Sequence, residues 1–512
     1  MNQAVAVIRK AFLRLHPQDD VVIAIRPLSA HSKLDDSGQL IELAQAITPG
    51  HKIASRSIAA GEPVRRYNQI IGFARQAILA GEHVHSHNLA FDNFDRDYAI
   101  GADCKAQQSM EASQFMGYVR ADGRVATRNY IGVIATVNCS ASVSKFVAAH
   151  FTAERLAAYP NVDGVVPITH ASGCGMDSDG AGIELLRKTI AGYARHPNFA
   201  AVVIIGLGCE ANQMDALFLS QGMDENPLLK PLVIQSSGGS RKTIEAAIDA
   251  VESMLPAANA LKRQPVSASH LTIGLQCGGS DGYSGITANP ALGAACDILV
   301  AQGGTVILSE TPEIYGAEHL LTRRAVSEEV ANKLIARIRW WESYTARNQG
   351  SMDNNPSPGN KAGGLTTILE KSLGAVAKAG STNLRQVYEY AETVCEKGFV
   401  FMDTPGYDPV SATGQVAGGA NLICFTTGRG SVYGCKPAPS IKLATNSRLY
   451  QQMREDMDIN CGDIIDRDVP VAEKGEAIFA LILRVASGEK TKSEALGMGH
   501  DEFVPWQLGA VM

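Results

Sequence analysis

Residues 271–290 read LTIGLQCGGSDGYSGITANP, an apolar run followed by a loop rich in glycine and serine. Glycine lets the backbone turn sharply and bring its N–H groups against an anion, so the pattern is typical of a binding loop at a strand end. Cys277 and Asp281 add one soft and one hard metal ligand. A polar surface turn has the same composition, and the loop alone does not decide between the two.

Other strand-like runs surround this one, and helix-compatible segments alternate with them. The apolar runs cover residues 130–137, 162–168, 200–207, 231–235, 305–309 and 420–425. The helices are predicted near residues 140–151, 180–193, 212–220, 241–255, 327–344, 365–378 and 473–486. Such alternation predicts parallel sheets covered by helices, whose ligands bind at the carboxyl ends of the strands.

Four cysteines follow four of these runs. Cys139, Cys174 and Cys209 each lie just past a predicted strand of the earlier sheet, as Cys277 does in the later one. Thiolates in that position are suitable ligands for iron, either as a single ion or as an iron–sulfur cluster. We therefore predict a metal site formed by these thiols, with small buried cysteines as the alternative.

The N-terminal part has a different pattern. Short apolar runs separated by glycine and proline extend from Asp20 to Asn88, which predicts a small, mostly β module. In its last run, His83, His85 and His87 alternate with other residues and are predicted to share one face of a strand. Three imidazoles on one face are typical of a metal or proton-transfer site, and an exposed polar face is the alternative.

The predicted fold class is therefore a multidomain α/β protein. A small N-terminal β module is followed by a parallel α/β domain and then by a larger C-terminal α/β domain. The boundaries are residues 1–92 for the β module, 93–116 for a linker, 117–262 for the second domain and 263–512 for the third.

Composition narrows the function. The 512 residues are 45% hydrophobic and carry a net charge of −6, without a basic patch for a polyanion, so nucleic acid is not expected as a partner. We find no apolar run long enough to cross a membrane. Ten cysteines without a secretory segment indicate a reducing compartment. We expect a cytoplasmic enzyme or binding protein that acts on a small molecule, as a homo-oligomer.

Two isolated side chains are candidate acids or bases because they follow predicted strands. His170 lies four residues before Cys174, and Glu310 follows the run at 305–309. Cationic and amide groups in nearby polar segments suit small carboxylates through charged hydrogen bonds. These candidates are Lys361, Arg429, Lys442, Arg128 and Asn129.

Four motifs together resemble one known family. They are GLGCE at 206–210, CGGSDGYSGITANP at 277–290, NPSPGNK at 355–361 and TGRG at 427–430. They closely resemble the altronate dehydratase / galactarate dehydratase family, and the β module resembles its SAF (β-clip) domain. Residues 81–88 and 315–321 are more similar to the altronate branch. Residues 90–116 and those before Asp20 match neither branch, which leaves other aldonic acids open as substrates.

The resemblance implies an iron- or manganese-dependent hydro-lyase that converts a sugar acid to a 2-keto-3-deoxy acid. Within the motifs, Asp281 and Lys361 join His170 and Glu310 as catalytic candidates. Substrate binding is assigned to Arg128, Asn129, Ser280, Asn289, Asn360, Arg429 and Lys442. The metal is assigned to His83 and His85 with Cys139, Cys174, Cys209 and Cys277.

The predicted reaction is dehydration of an altronate-like 2,3-dihydroxy acid, by removal of the C2 proton and loss of the C3 hydroxyl. Alternatives within the family are a galactarate or other sugar-acid dehydratase and a sulfolactate-type lyase that expels sulfite. Outside it, a non-catalytic sugar-acid binding protein is the alternative. A thiol oxidoreductase is weakly supported because the chain has no Cys-x-x-Cys pair.

Overall fold

The computed structural model describes residues 11–106, 108–509 and 511. The first ten residues, which belong to the stretch before Asp20 that was expected to match neither branch, lie outside this range. The predicted fold class is confirmed: a β module precedes two α/β domains with parallel sheets.

The N-terminal module consists of short antiparallel strands. They form the sheets β1-β2-β5-β8 and β6-β7-β9 and the hairpin β3-β4. Turns with glycine in the left-handed region, such as Gly50 and Gly61, separate the strands and keep them short. The strands are β1 Phe12–Leu13, β2 Val21–Ala24, β3 Lys33–Asp36, β4 Gln39–Glu42, β5 Lys52–Ala54, β6 Pro63–Arg66, β7 Gln69–Ala74, β8 His83–Val84 and β9 Leu89–Ala90.

The second domain contains a parallel sheet in the order β13-β12-β14-β15. Its central strands are almost fully apolar because helices cover both faces. A small antiparallel sheet, β11-β10-β16, lies beside it. The strands are β10 Gln114–Val119, β11 Val125–Ala126, β12 Tyr130–Ala135, β13 Gly164–Ile168, β14 Phe199–Gly206, β15 Leu229–Val233 and β16 Gln264–Ser267. The helices are α1 Ala141–His150, α2 Ala153–Leu156, α3 Ala181–Ala194, α4 Met214–Gln221 and α5 Ser240–Ala260.

The third domain contains a parallel sheet in the order β19-β20-β18-β17-β21-β22-β23. Its strands are β17 Thr272–Cys277, β18 Thr305–Leu308, β19 Leu384–Tyr388, β20 Gly398–Met402, β21 Leu422–Thr427, β22 Ser440–Ala444 and β23 Ile459–Asn460. Its helices are α6 Ala288–Ala301, α7 His319–Thr322, α8 Glu328–Arg347, α9 Pro358–Ala362, α10 Ile368–Ala377, α11 Asp408–Ala417, α12 Ser447–Gln452, α13 Asp463–Asp466, α14 Val471–Ala486 and α15 Lys492–Ala495.

Strand β17 is the centre of this sheet. The chain runs from β17 to β18 on one side and later returns to β21 on the other, so the strand order reverses at β17. In open parallel sheets this reversal opens a crevice at the carboxyl ends, where ligands bind. The loop at 277–287 therefore lies at the expected position of a site.

Both faces of the third sheet are covered. One hydrophobic core joins it to α6, α10, α14 and the N-terminal module, and another joins it to the second domain. Buried charges also bind the module to α10: Lys52 Nζ lies 2.9 Å and Arg66 Nη1 lies 2.5 Å from the Glu370 carboxylate. Within the described residues, no helix is long and apolar enough to span a membrane.

Candidate active site

The loop after β17 holds a buried carboxylate, Asp281, in a ring of donors. One oxygen accepts hydrogen bonds from the Thr445 hydroxyl at 3.0 Å and the Ser284 hydroxyl at 3.1 Å. The other accepts from the Asn446 amide at 3.0 Å. Burial nevertheless raises the pKa of Asp281. This carboxyl is therefore oriented by fixed donors and is more basic than an exposed aspartate.

Glycine is required around Asp281 because neighbouring backbones approach it closely. A Cβ atom added at Gly428 would lie 2.2 Å from Asp281 Cγ, and one at Gly363 would lie 3.0 Å from Asp281 Cβ. A Cβ atom at Gly282 would lie 2.1 Å from the carbonyl oxygen of Gly50, in the N-terminal module. The glycine-rich composition thus packs three segments and the module around one carboxylate.

Asp281 lines a cleft of about 640 Å³ between the N-terminal module and the carboxyl ends of β21 and β22. His51 of the module, Arg429 after β21 and Arg448 in α12 line the same cleft. Both guanidinium groups are exposed, and neither has a side-chain partner within the described part of the chain. Asp281 also lines a narrow internal pocket beside Cys277 and Lys371. The cleft can therefore receive an anionic ligand next to a buried base.

Three imidazoles lie at the module's edge of the cleft. His51 Nδ1 lies 3.0 Å from His83 Nε2, and the His85 ring stacks on both at centroid distances of 5.4 and 5.2 Å. Burial lowers the pKa of His51 to about 4 and that of His83 to about 3, so both are neutral at pH 7. Neutral imidazole is the form that binds a metal.

The predicted histidine strand is only partly correct. Strand β8 ends at Val84, and the Asn88 side chain accepts from the His85 N–H at 2.9 Å in the turn that follows. This turn places His85 Nε2 2.9 Å from the backbone oxygen of Lys361. His87 is exposed, with its ring 5.7 Å from that of His83.

A buried group of charges lies behind the cleft. Lys378 Nζ is 2.8 Å from Cys277 Sγ and 3.0 Å from a Glu310 oxygen. Lys371 Nζ lies 2.6 Å from Glu313. Among the described residues, Cys277, Glu310 and Glu313 are the only His, Cys or acidic side chains that bring three potential ligand atoms within 4.8 Å of one another. The ammonium of Lys378 already supplies the positive charge there, so this cluster does not need a metal ion.

Glu310 is the carboxyl of this group whose pKa is raised into the neutral range. It has a left-handed backbone, with φ of 68°, and one carboxylate oxygen has no partner among the described residues. Burial and the negative charge of Glu313 raise the pKa of Glu310 to about 8, although Lys378 opposes the shift. A strained, buried acid that can hold a proton at neutral pH is consistent with the predicted acid or base role, which remains a prediction.

The four predicted cysteine ligands are divided between two domains. Cys139, Cys174 and Cys209 are exposed and follow the adjacent strands β12, β13 and β14. Cys277 belongs to the other sheet, is buried, and contacts Lys378. The structure therefore does not support a single site for all four, because Cys277 takes part in a separate ionic cluster.

His170 is not placed as a catalytic group. Its Nε2 donates to the Ala135 carbonyl at 3.1 Å, and its Nδ1 accepts from the Ser172 N–H at 3.2 Å. Burial lowers the pKa of His170 to about 4. With both ring nitrogens engaged, this neutral imidazole fixes the turn that precedes Cys174 and has no free nitrogen for a substrate.

Arg128 and Asn129 do not lie in the cleft. Both precede β12, at the amino edge of the second sheet, whereas ligands bind at the carboxyl edge. Arg128 forms a bidentate ion pair with Glu494 at 2.7 and 2.8 Å, and Asn129 donates to the Asn161 carbonyl at 2.7 Å. Arg128 thus ties the second domain to the third, Asn129 ties segments within the second domain, and the structure places neither in the cleft.

Lys442 is also misplaced relative to the prediction. It points from β22 into the interior, where its ammonium is fully buried without a partner among the described residues. No cavity described above includes it, so the structure gives it no substrate contact. Burial lowers the pKa of Lys442.

The other predicted substrate residues shape the site more than they line it. Asn360 completes the capping box of α9 with Ser357 and donates to the Ser280 carbonyl at 2.8 Å, which holds the loop after β17. Asn289 bonds Gly374 and Thr426 within the core, and it lines the internal pocket together with Ser280. Of the predicted cations, Arg429 alone lines the cleft, whereas Lys361 contacts His85 through its backbone.

Sequence reasoning missed several residues of this region because their partners are distant in the chain. The contact between Lys378 and Cys277 spans 101 positions, and that between Lys52 and Glu370 spans 318. A local signal existed only for α10, whose predicted helix carries buried charges. The missed residues are His51, Lys52, Arg66, Glu313, Glu370, Lys371, Lys378, Asp408 and Arg448.

Comparison with protein families covers each part of the chain. Residues 10–92 match the altronate/galactarate dehydratase SAF domain. Residues 117–259 match the D-galactarate dehydratase/altronate hydrolase second domain. Residues 268–511 match the D-galactarate/altronate dehydratase C-terminal domain.

Curated relatives extend this similarity over nearly the whole chain. Altronate dehydratase of Bacillus subtilis (strain 168) is 36% identical over 488 residues, 95% of this chain and 97% of the relative. Galactarate dehydratase (L-threo-forming) of Escherichia coli (strain K12) is 36% identical over 506 residues, 96% of each chain. In Chromohalobacter salexigens, the β subunit of (2R)-sulfolactate sulfo-lyase is 32% identical over 78% of this chain and 98% of its own length. Its α subunit is 36% identical over 83 residues, 15% of this chain and 88% of its own length. The chain therefore belongs to the D-galactarate/altronate dehydratase family.

Proposed function

We propose that this protein is a hydro-lyase that dehydrates a sugar acid, an altronate-like aldonate, to a 2-keto-3-deoxy acid. The observation that carries the proposal is the cleft that Arg429 and Arg448, which have no side-chain partner among the residues the structure describes, line together with buried Asp281. Guanidinium groups recognise carboxylates through paired charged hydrogen bonds. The names of the similar proteins, dehydratases of altronate and galactarate, support a sugar acid as the ligand.

The residues of the cleft divide the reaction between binding and proton transfer. Arg429 holds the substrate carboxylate, which places C2 beside Asp281. The Asp281 carboxylate accepts the C2 proton and returns it to the C3 oxygen, so that the C3–O bond breaks and water leaves with its electron pair. The enol that remains tautomerises to the 2-keto acid. The donors around Asp281 fix its direction, and its raised pKa improves it as a base.

The histidine edge of the cleft offers three neutral imidazoles, a donor set whose chemistry suits a divalent ion, although their ring nitrogens do not all lie within 4.8 Å of one another among the described residues. His51, His83 and His85 lie together, are neutral at pH 7, and adjoin the ligand space through His51. Imidazole is a common ligand for iron and manganese sites. We propose that these three residues hold Fe²⁺ or Mn²⁺ once their rings exchange present hydrogen bonds for the ion, since His51 and His83 bond each other and His85 Nε2 donates to the Lys361 carbonyl in this structure. Such an ion supplies Lewis acidity that stabilises the charge developing on the substrate carboxylate.

An iron–sulfur cluster is the alternative, and its ligands would be the three exposed thiols of the second domain. Cys139, Cys174 and Cys209 lie at one sheet edge, where Gln235 donates to Cys209 Sγ at 3.3 Å. Three cysteines leave one iron of a four-iron cluster open. Metal analysis with visible and paramagnetic resonance spectroscopy distinguishes the two: His51→Ala and His83→Ala remove a mononuclear ion, whereas Cys→Ser changes at the three thiols remove a cluster.

The function is tested with a panel of hexonates, hexarates and sulfolactate incubated anaerobically with Fe²⁺ or Mn²⁺. We expect a 2-keto-3-deoxy acid from a hexonate, and a fall in kcat of about 100-fold or more in Asp281→Asn because the base is lost. Calorimetric binding of a hexonate without keto-acid formation would instead indicate a binding protein. Release of sulfite from sulfolactate, with no dehydration of any sugar acid, would overturn the proposal.

A further inference from the structure

A second ligand-sized cavity lies between the second and third domains, at the amino ends of β17 and β21, whereas the cleft lies at the carboxyl ends of the third sheet. It has a volume of about 480 Å³ and is lined by α3 and the segment after it, the loop between β19 and β20, and the end of α11. We call it the interdomain groove. Its basic and acidic lining residues are Arg124, Lys188, Arg195, His196, His270, Glu392 and Lys397.

The groove lies at the opposite edge of the third sheet from the proposed active site. Thr272, the first residue of β17, and Asn421, which precedes β21, both line it. The cleft around Asp281 is formed at the carboxyl ends of the same two strands. A ligand in the groove is therefore not a substrate of the proposed reaction, and it contacts both domains.

The groove is positively charged in a chain whose net charge is −6. Some of its basic groups have local partners. Arg124 pairs with Asp122 at 2.7 Å, and Arg195 donates to the Gly222 carbonyl at 2.9 Å, at the end of α4. Of these two, only Arg124 has an acidic partner, because a carbonyl oxygen carries no net charge.

Lys188 and Lys397 likewise have no acidic partner among the described residues. The Lys188 ammonium has no partner within the described residues, and Lys397 has a neutral one, the Ser269 carbonyl at 2.7 Å. Loss of hydration lowers the pKa of Lys397, and the same effect together with Lys397 lowers that of His270. Glu392 is the one acid among the lining residues, and its carboxylate accepts from the Glu389 N–H at 2.8 Å.

We propose that the interdomain groove binds a small polyanion with at least two negative charges, of the phosphate-ester or polycarboxylate class, between Lys188 and Lys397. The volume suits a metabolite of that size. Lys188 belongs to the second domain and Lys397 to the third. A ligand held by both lysines therefore stabilises the contact between the two domains, because it binds only when they are folded and in place. This site goes beyond the proposed dehydration and does not depend on it.

The test is calorimetric titration of the full-length protein with tripolyphosphate and with citrate, at constant ionic strength set with sodium chloride. We expect one site per chain. We expect affinity to fall about tenfold in Lys188→Gln/Lys397→Gln, because two partly exposed charge pairs are lost. Preference for tripolyphosphate or for citrate identifies the ligand class. Lys188→Arg/Lys397→Arg keeps both charges and should retain the affinity.

The matched control is Lys242→Gln/Lys490→Gln, which removes the same charge from exposed positions in the same two domains. Its affinity should stay within about twofold of the original, since charges beyond a Debye length are screened. The proposal is overturned if affinity falls equally in Lys188→Gln/Lys397→Gln and in the Lys242→Gln/Lys490→Gln control. It is also overturned if neither probe binds the unmodified protein at constant ionic strength. If the glutamine variant unfolds, the arginine variant and the control still decide, because loss of binding in the arginine variant would contradict a charge-based site.

Discussion

Arg429 and Arg448 are the residues whose chemistry most directly limits the substrate. Arg429 lies in the loop after β21 and Arg448 in α12, which follows β22, and both line one cleft without side-chain partners in the described part of the protein. A monoacid needs one guanidinium, whereas a diacid can use both. The contribution of each arginine to substrate binding should therefore determine whether the cleft prefers a hexonate or a hexarate.

We predict that Arg429→Gln lowers kcat/KM about 10- to 100-fold for every accepted acid, because a charge-assisted hydrogen bond is lost. Arg448→Gln should lower kcat/KM more for a hexarate than for a hexonate. Steady-state kinetics with one acid of each class measures both effects. Lys490→Gln, at an exposed position outside the cleft, is the control. Equal kinetics in all three variants and the unmodified protein would show that neither arginine binds the substrate.

The buried ion pair of Glu313 and Lys371 allows the effect of one lost charge on the free energy of unfolding to be measured. Both side chains are at most 6% exposed, and their charged atoms lie 2.6 Å apart. We predict that Lys371→Met costs about 3–5 kcal/mol, because it leaves a buried carboxylate without its cation. Glu313→Gln in the same chain should recover part of that loss. Urea unfolding measures both.

An exposed ion pair supplies the control for this measurement. Lys333 and Glu329 lie 3.1 Å apart on one face of α8, with side chains that are 44% and 77% exposed. Lys333→Met should therefore change the free energy of unfolding by less than about 0.5 kcal/mol. A comparable loss in Lys333→Met and Lys371→Met would show that burial does not determine the cost.

At the scale of the element, α10 connects the N-terminal module to the buried charge cluster. Glu370 in its first turn pairs with Lys52 and Arg66 of the module, while Lys371 binds Glu313. Lys378, directly after the helix and seven positions beyond Lys371, lies on the same side. One helix therefore holds the module in place and also positions the cations behind the cleft.

The pKa of Glu370 predicts how this docking depends on pH. Burial alone would raise it, but Lys52 and Arg66 outweigh burial and lower the pKa of Glu370 to about 2. A depressed carboxyl pKa stabilises the fold above the unfolded value of about 4.3, and the benefit disappears as pH falls towards 2. We predict a loss of about 3 kcal/mol from this group over that interval, measured by urea unfolding at successive pH values.

Glu370→Gln should remove this pH-dependent loss of unfolding free energy, since no carboxyl remains to be protonated. At pH 7 the variant should be less stable than the unmodified protein, because Lys52 and Arg66 lose their charged partner. Glu476→Gln on the exposed face of α14 is the control, because it removes a carboxyl that has no buried partner. If the free energy of unfolding falls by the same amount in both variants as the pH is lowered, Glu370 does not dominate the loss of stability in acid.

At the scale of the molecule, sequence patterns predicted the elements well. The helices predicted at 140–151 and 365–378 are observed as Ala141–His150 and Ile368–Ala377. Periodicity and apolar runs reflect burial on one or two faces, which is a local property of the chain. The placement of the loop with Asp281 at a carboxyl edge also followed from that reasoning.

The site itself was predictable only in part. Arg429 and Asp281 lay in recognisable loops, whereas His51, Arg448 and Lys378 are brought to the region by tertiary packing. Arg128 was predicted near the ligand but pairs with Glu494 away from the cleft, because position next to a strand does not show which sheet edge faces a ligand. Charge pairs between domains have no local signature, and their identification requires the folded arrangement.

The N-terminal module docks on the third domain through contacts that two separate chains could also form. In the sulfolactate lyase relative, two subunits match this chain separately, and the α match has the length of residues 10–92. The module docks here through a hydrophobic core and through Lys52, Arg66 and Glu370, none of which needs a continuous backbone. We predict that residues 1–92 and 93–512, co-expressed as two chains, purify together in equal amounts and form the product obtained from the intact protein. Glu370→Gln in the longer chain should weaken the association, because two buried cations lose their partner, whereas Glu476→Gln should not. Recovery of a folded longer chain without the module would show that the covalent linker, and not this interface, holds the module over the cleft.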